Sequence, residues 1–380
     1  MKKLFTVVLF FTLFSIINAK DEGYKLKIEE VKSGKNTYSF YVGTYTGGDS
    51  EGIYKYTLMP DGTFEKIGLA AKTENPSFLT RSYDKKYILA VSEVKSGDNT
   101  GAVVSFSILD DGLKFISKTT SGGAHPCFVA SNSDGFVLAA NYTGGNVGLM
   151  RIGEDGVLSD LLDVQQHEGS DLTDRQGSPH AHSAWFEPGS PNIISVDLGT
   201  NELWFSSLDS KKQKLKALKP QTLKMAPGAG PRHLCFHPNN KWIYVVNELD
   251  CTVSLVKKLQ SGEYKKDQAI STLPETYTDR NSCADIHVSP DGRYVYASNR
   301  GHNSLVIYAV NEENGALKML GHQSTFGSTP RNFSISPDGK YIVVANQNSN
   351  NLVSFLRDKN SGVLQFIDQI EAPKPVCVLF

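Results

Sequence analysis

Cysteine is scarce in this chain: five residues in 380. That number is odd, and too small for a compact scaffold held together by disulfides. An excess of one charge is also missing. The 39 basic and 40 acidic side chains leave no broad basic face, which argues against nucleic acid or an anionic membrane surface as a partner. Long apolar runs are absent except for one short stretch at Met1 to Ala19, so a bundle of membrane helices does not fit. Helical periodicity is nearly absent as well. What remains is a chain rich in short β-branched and aromatic segments separated by Gly and Pro turns.

The single apolar stretch begins with Lys2 and Lys3, runs from Leu4 to Ile17 and ends in Asn18-Ala19. It reads as a secretory signal peptide over residues 1–19, followed by a polar, flexible leader over 20–36. The expectation is an exported, periplasmic protein with no membrane span after cleavage. Cys127, Cys235, Cys283 and Cys377 fall in equivalent short strands of a repeat, where a small buried hydrophobe fits. They read as packing residues rather than bridges.

Internal repetition dictates the fold. PRNFSISPDGKYIVVANQNSNNLVSF from Pro330 matches CADIHVSPDGRYVYASNRGHNSLVIY from Cys283 and PRHLCFHPNNKWIYVVNELDCTVSLV from Pro231. Fainter copies start near Asn75, His125 and Ala181. Taking Gly43, Ser92, Asn141, Asp197, Asn247, Asn299 and Asn346 as ends of second strands gives intervals of 49, 49, 56, 50, 52 and 47 residues. Each copy holds four strand patterns joined by tight turns such as Pro337-Asp338-Gly339 and Ser361-Gly362. The reading is all-β: a seven-bladed β-propeller of four-stranded antiparallel blades over residues 37–380. Pro375 to Phe380 matches a first strand with nothing after it, and Tyr38 to Val42 a second strand with nothing before it. Joined, they complete one blade and close the ring, leaving no open edge.

In such a blade the start of strand one and the end of strand two share one mouth of the channel. The slot opening strand one reads Ser77, Pro126, His182, Arg232, Ala284, Arg331 and Val376. The next slot includes His233, Asp285 and Asn332. The slot after strand two reads Thr44, Glu93, Tyr142, Leu198, Glu248, Arg300 and Gln347. Framework turns repeat from copy to copy, whereas these positions do not. Arginines crowded at one opening repel each other unless an anion arrives. Long polar loops, Gln166 to Pro179, Gln221 to Gly230 and Ser271 to Ser282, run over the same mouth and suit a pocket wall. Plainer readings compete. Arg331 could simply be solvated, and Glu248 could pair with Arg232 for structure alone. His180-Ala181-His182 could be half a metal site, but no acidic or Cys partner stands at ligand spacing, so neither metal nor cofactor is expected. His233, His237 and His287 read as core or turn residues, and Gly43 to Gly48 as a loop rather than a phosphate cradle.

With these residues in place, the chain resembles the seven-bladed lactonase family, which includes the propeller-type 6-phosphogluconolactonases and the carboxy-cis,cis-muconate cyclases. The resemblance spans Tyr38 to Phe380 and rests on Tyr41-Val-Gly-Thr-Tyr-Thr46, Pro179-His-Ala-His182, Gly228-Ala-Gly-Pro-Arg-His233, Asn247-Glu248-Leu249, Asn299-Arg300-Gly301 and Pro330-Arg-Asn332. It implies that His182, Glu248, Arg232 and Arg300 are the active-site groups, the positions the mouth argument selects. The signal peptide is the departure: phosphogluconate chemistry is cytosolic, so whether the substrate is phosphorylated stays open.

The expected reaction is metal-free hydrolysis of a small anionic sugar lactone. Glu248 and His182 serve as general base and acid in either order, and Arg232 and Arg300 stabilise the oxyanion. His180, Arg331, Asn332, Gln347, Asp285 and Tyr142 orient the substrate. Two rivals stand beside it: the reverse, muconate-type lactonisation, and a non-catalytic exported propeller that binds glycans or proteins.

Overall fold

The computed structural model describes residues 36–380; the expected signal peptide and nearly all of the leader lie outside them. Seven four-stranded antiparallel sheets are present. We number the blades by their second strands, so that blade one contains Tyr38–Thr44 and blade seven Tyr341–Asn346. The inner strand of blade one is Pro375–Leu379, paired to Tyr38–Thr44 with Val42 opposite Val378. The inner strands touch one another in an unbroken cycle that passes through this C-terminal strand. The ring closes as the sequence predicts, and the only helix among the described residues is a 3-10 turn at Asp174–Gln176.

The recurring Ser-Pro-Asp-Gly motif builds the first turn of a blade by local hydrogen bonding. In blade seven, Ser336 Oγ donates to Asp338 Oδ1 at 2.6 Å, Asp338 Oδ1 accepts from Lys340 N at 3.0 Å, and Tyr341 N donates to Ser336 Oγ at 2.9 Å. Such side-chain bonds mimic backbone ones and set a tight reversal. The aromatic residue that opens strand two then covers a glycine of the neighbouring blade's second turn. A Cβ on Gly362 would lie 2.4 Å from the Tyr294 ring, and one on Gly315 2.5 Å from Trp242. Only glycine permits that approach.

Between blades the sheets pack face to face. Each of the seven interfaces holds one apolar cluster, such as Tyr244, Val246, Val295 and Val306 between blades five and six. Cys127, Cys235, Cys283 and Cys377 all sit on inner strands, and all five cysteines are free. With apolar packing concentrated at the interfaces between blades, much of the channel wall is available for polar side chains.

Candidate active site

Six inner strands carry one residue more than their partner strand where they reach the mouth. In blade five Pro231 faces Asn247 and His233 faces Val246, so Arg232 is the extra residue. By the same pairing the extra residues are His182 in blade four, Arg331 in blade seven, Cys127 in blade three and Val376 in blade one. A β-bulge of this kind re-aims one side chain. Cys127, Arg232, Arg331 and Val376, with Ser77, Phe78, His233 and Asn332, line a narrow axial cavity.

A second ring forms above it. Tyr45, Tyr142, Leu198, Glu248 and Gln347 each donate their backbone N–H to the carbonyl just before the adjacent inner strand, as Glu248 does to Gly230 at 2.7 Å, and Glu93 donates to Asn75, four residues before the short inner strand Leu79–Arg81. Arg300 holds the corresponding place in blade six, opposite Ser282. Two sequence assignments shift by one residue here. Thr44 is buried at the end of its strand with its hydroxyl on Ser50 and Gly52, so Tyr45 takes its place at the mouth. Pro126 pairs with Asn141, so Cys127 occupies the slot expected for Pro126.

On one wall Glu248 collects three guanidiniums. Its Oε2 accepts from Arg232 Nε at 3.0 Å and forms an ion pair with Arg300 Nη2 at 2.9 Å, and its Oε1 accepts from Arg175 Nη2 at 3.1 Å. Burial alone raises the carboxyl, but Arg300, Arg232, Arg175 and Arg331 outweigh it and hold it at about 2. Arg232 is pushed down to about 10 by burial and by the positive charge of Arg300 and Arg331. Arg300 Nη2 also donates to the Cys283 carbonyl at 2.8 Å, while its buried Nε has no protein partner among the described residues.

The other wall is built differently. Arg331 Nη2 donates to Tyr45 Oη at 2.8 Å, and Tyr45 Oη donates to Glu93 Oε2 at 2.8 Å. The Arg331 guanidinium also lies 5.2 Å from the centre of the Tyr45 ring. Burial lifts the Tyr45 hydroxyl well above its ordinary range, so it stays protonated and acts as a donor.

Beneath the arginines lies a buried layer of imidazoles around one carboxylate. His182 is held well below the ordinary imidazole range by burial and by Arg232, His233 and Arg331. Its Nδ1 is 3.7 Å from Cys127 Sγ, and its ring meets His233 edge-on at 5.2 Å. Asp285 uses both carboxylate oxygens on the protein. Oδ1 meets His233 Nδ1 at 2.9 Å, and Oδ2 meets His287 Nε2 at 3.0 Å and Asn332 Nδ2 at 2.5 Å. Asn332 Oδ1 in turn accepts from Val378 N at 2.7 Å. Asp285 and Asn332 thus tie inner strands of blades one, five, six and seven together behind the mouth. His180 stacks on Tyr142 at 4.4 Å and bonds its carbonyl at 2.9 Å, and Gln347 is half-buried on the rim. Among the described residues no three His, Cys, Asp or Glu side chains converge for a metal.

Burial and Arg232 depress His233 to about 4, against the pull of Asp285. An imidazole that is harder to protonate when folded takes up a proton on unfolding. Stability therefore falls as pH drops from about 6.5, the unfolded value, to about 4. Asp285, depressed by its histidine partners despite its burial, adds a further loss below about pH 4. Calorimetric melting is expected to fall steadily between pH 7 and pH 4.5, and less so in His233→Asn. A flat profile in the wild type contradicts these assignments.

Arg175 is absent from the sequence-derived candidates. It sits in the 3-10 turn of the Gln166 to Pro179 loop and bonds Tyr142 Oη at 2.8 Å as well as Glu248. The loop is fixed by a buried His167–Asp197 contact of 2.7 Å and by Gln176 Nε2 on the Leu198 carbonyl at 3.0 Å. The sequence signalled the loop as a pocket wall, but a loop without a repeat offers no frame for choosing one residue in it.

Comparison with known proteins agrees with this architecture. The family described as lactonase, seven-bladed β-propeller, matches residues 39–380. A 6-phosphogluconolactonase of Bacillus subtilis is 36% identical over 301 residues, which is 78% of this chain and 84% of that protein. A 6-phosphogluconolactonase of Formosa agariphila is 36% identical over 270 residues, 68% of this chain and 75% of that protein. The solved periplasmic gluconolactonase of Pseudomonas aeruginosa superposes with a TM-score of 0.85 at 31% identity, covering 90% of this chain and 98% of that one.

Proposed function

The chain belongs to the lactonase family of seven-bladed β-propellers, and on that premise we propose that it hydrolyses sugar-type lactones at the arginine-lined mouth. The observation that carries this reading is the convergence of Arg175, Arg232 and Arg300 on Glu248, with Arg331 facing them across the cavity. With His182 and His233 neutral, these four guanidiniums exceed the three carboxylates Glu248, Glu93 and Asp285 by one positive charge. That balance favours an anionic substrate, and gluconolactone and its 6-phosphate are the natural probes.

Water attack on the lactone carbonyl concentrates negative charge on the carbonyl oxygen. Arg232 and Arg300, held in fixed orientation by Glu248, stabilise it without reorganising. Arg331 and Arg175 take the substrate's anionic group through their planar donor forks. Asn332, Gln347, His180 and Tyr142 orient its hydroxyls, and Asp285 acts through Asn332. His182, a neutral imidazole, hydrogen-bonds the reacting oxygens. Glu248 and His182, the pair that the sequence casts as base and acid, are each held in a weakly basic state. The reading of residues 1–19 as a signal, together with a periplasmic relative, supports an exported enzyme.

Glu248→Gln and Arg300→Ala test the proposal. Each is expected to lower kcat by roughly 10- to 100-fold, since the former frees the guanidiniums and the latter removes a donor. Unchanged turnover in both variants removes the mechanism. Exclusive lactone formation from an unsaturated diacid would instead favour the cyclase reading.

A further inference from the structure

The mouth carries two carboxylates in the same structural slot, and they are bonded in opposite ways. Glu248, from blade five, has both oxygens occupied by three guanidiniums. Glu93, directly after strand two of blade two, receives no guanidinium among the described residues. Its Oε2 accepts one hydrogen bond, from Tyr45 Oη at 2.8 Å, and no protein donor among the described residues reaches its Oε1. Its charge is felt on the cavity wall, where burial and then Glu93 push the Cys127 thiol up. Glu93 is half-buried, so water can reach it.

A carboxylate locked by three arginines is a template, because adding a proton to it would break the bonds that shape the site. A carboxylate with one free oxygen and one neutral donor can take a proton without disturbing its neighbours. The Tyr45 hydroxyl fixes the Glu93 rotamer and links it to Arg331 at 2.8 Å. The base and the arginine on that wall are therefore held in register with each other.

We infer that Glu93 is the catalytic proton acceptor of lactone opening, with Tyr45 as its positioning residue; this rests on the lactonase reading of the mouth. As the water oxygen bonds to the carbonyl carbon, one water O–H breaks and its proton passes to Glu93 Oε1. The carbonyl π electrons move onto oxygen, facing Arg232. When that oxyanion collapses, the bond from the acyl carbon to the ring oxygen breaks. The departing alkoxide takes the proton back from Glu93, giving a hydroxy acid and the original carboxylate. One water is consumed and no other reactant is needed.

The test compares wild type, Glu93→Gln, Glu93→Ala and Tyr45→Phe on gluconolactone and its 6-phosphate. Glu93→Gln is expected to lose about 100- to 1,000-fold in kcat with KM changed only a few-fold, and to lose the acid limb of the pH–rate profile. Added formate or acetate should restore part of the rate in Glu93→Ala, a response that a merely structural role would not produce. Tyr45→Phe should lose roughly tenfold in kcat and shift the acid limb. Glu93→Gln within threefold of an active wild type, or no rescue by formate in a folded Glu93→Ala, overturns the assignment. An inactive wild type instead overturns the lactonase reading on which it rests.

Discussion

Replacing Arg232 with alanine is expected to lower kcat/KM for lactone opening by about two to three orders of magnitude, the typical loss when a preorganised oxyanion donor is removed. Arg232 is 2% exposed and is the extra residue of a bulge, so its side chain is aimed into the cavity by backbone geometry rather than by chance. It sits beside two other guanidiniums, Arg300 and Arg331, whose repulsion helps bring it down to about 10. That repulsion is relieved when negative charge develops between them, so the interaction strengthens toward the transition state, as catalysis requires. Glu248 remains held by Arg300 and Arg175 in the variant, and melting should fall only modestly. Arg232→Lys keeps the charge but loses the planar fork and should recover only part of the rate. Initial rates with titrated enzyme check both variants. An Arg232→Ala enzyme within tenfold of wild type leaves the oxyanion without its assigned partner.

The largest expected loss of stability comes from Asp285→Ala, about 3 to 5 kcal/mol by denaturant unfolding, the range for removing one partner of a buried ionic cluster. The carboxylate is 3% exposed and serves His233, His287, Asn332 Nδ2 and the backbone N–H of Phe333, the last at 3.2 Å. Alanine leaves these donors unsatisfied in the interior and uncouples the inner strands they sit on. Activity should fall too, because Asn332 and His233 both line the axial cavity. Asp285→Asn retains an acceptor and should lose less. An Asp285→Ala protein that unfolds like the wild type contradicts the assignment of Asp285 as the node behind the mouth.

The fold was legible because its framework repeats. Pro-Asp-Gly turns, Tyr or Trp at the start of strand two and an unpaired strand pattern at each end fix the blade count and the closure. The mouth was legible for the opposite reason, since Arg232, Glu248, Arg300 and Arg331 break a pattern the framework keeps. Three features escaped. Tyr45 is one: blade one begins with its second strand, so no preceding turn sets its register and the spacing points to Thr44 instead. Cys127 was displaced by one position because the Asn132 to Gly135 turn of blade three is a residue shorter than Ser336 to Lys340. A slip of one residue exchanges the two faces of a strand. Arg175 lies on a loop without internal repetition, and its contact with Glu248 depends on a path across the mouth that no spacing encodes. The bulges that turn His182, Arg232 and Arg331 inward are likewise a property of pairing between strands.

The most direct measurement is acid release from gluconolactone and 6-phosphogluconolactone, with and without the wild-type protein, corrected for spontaneous opening. A saturable acceleration of at least one of them, inhibited by its hydroxy-acid product, is the predicted result. Rates equal to the spontaneous ones for both lactones at every protein concentration would mean that the cluster of guanidiniums does not open lactones.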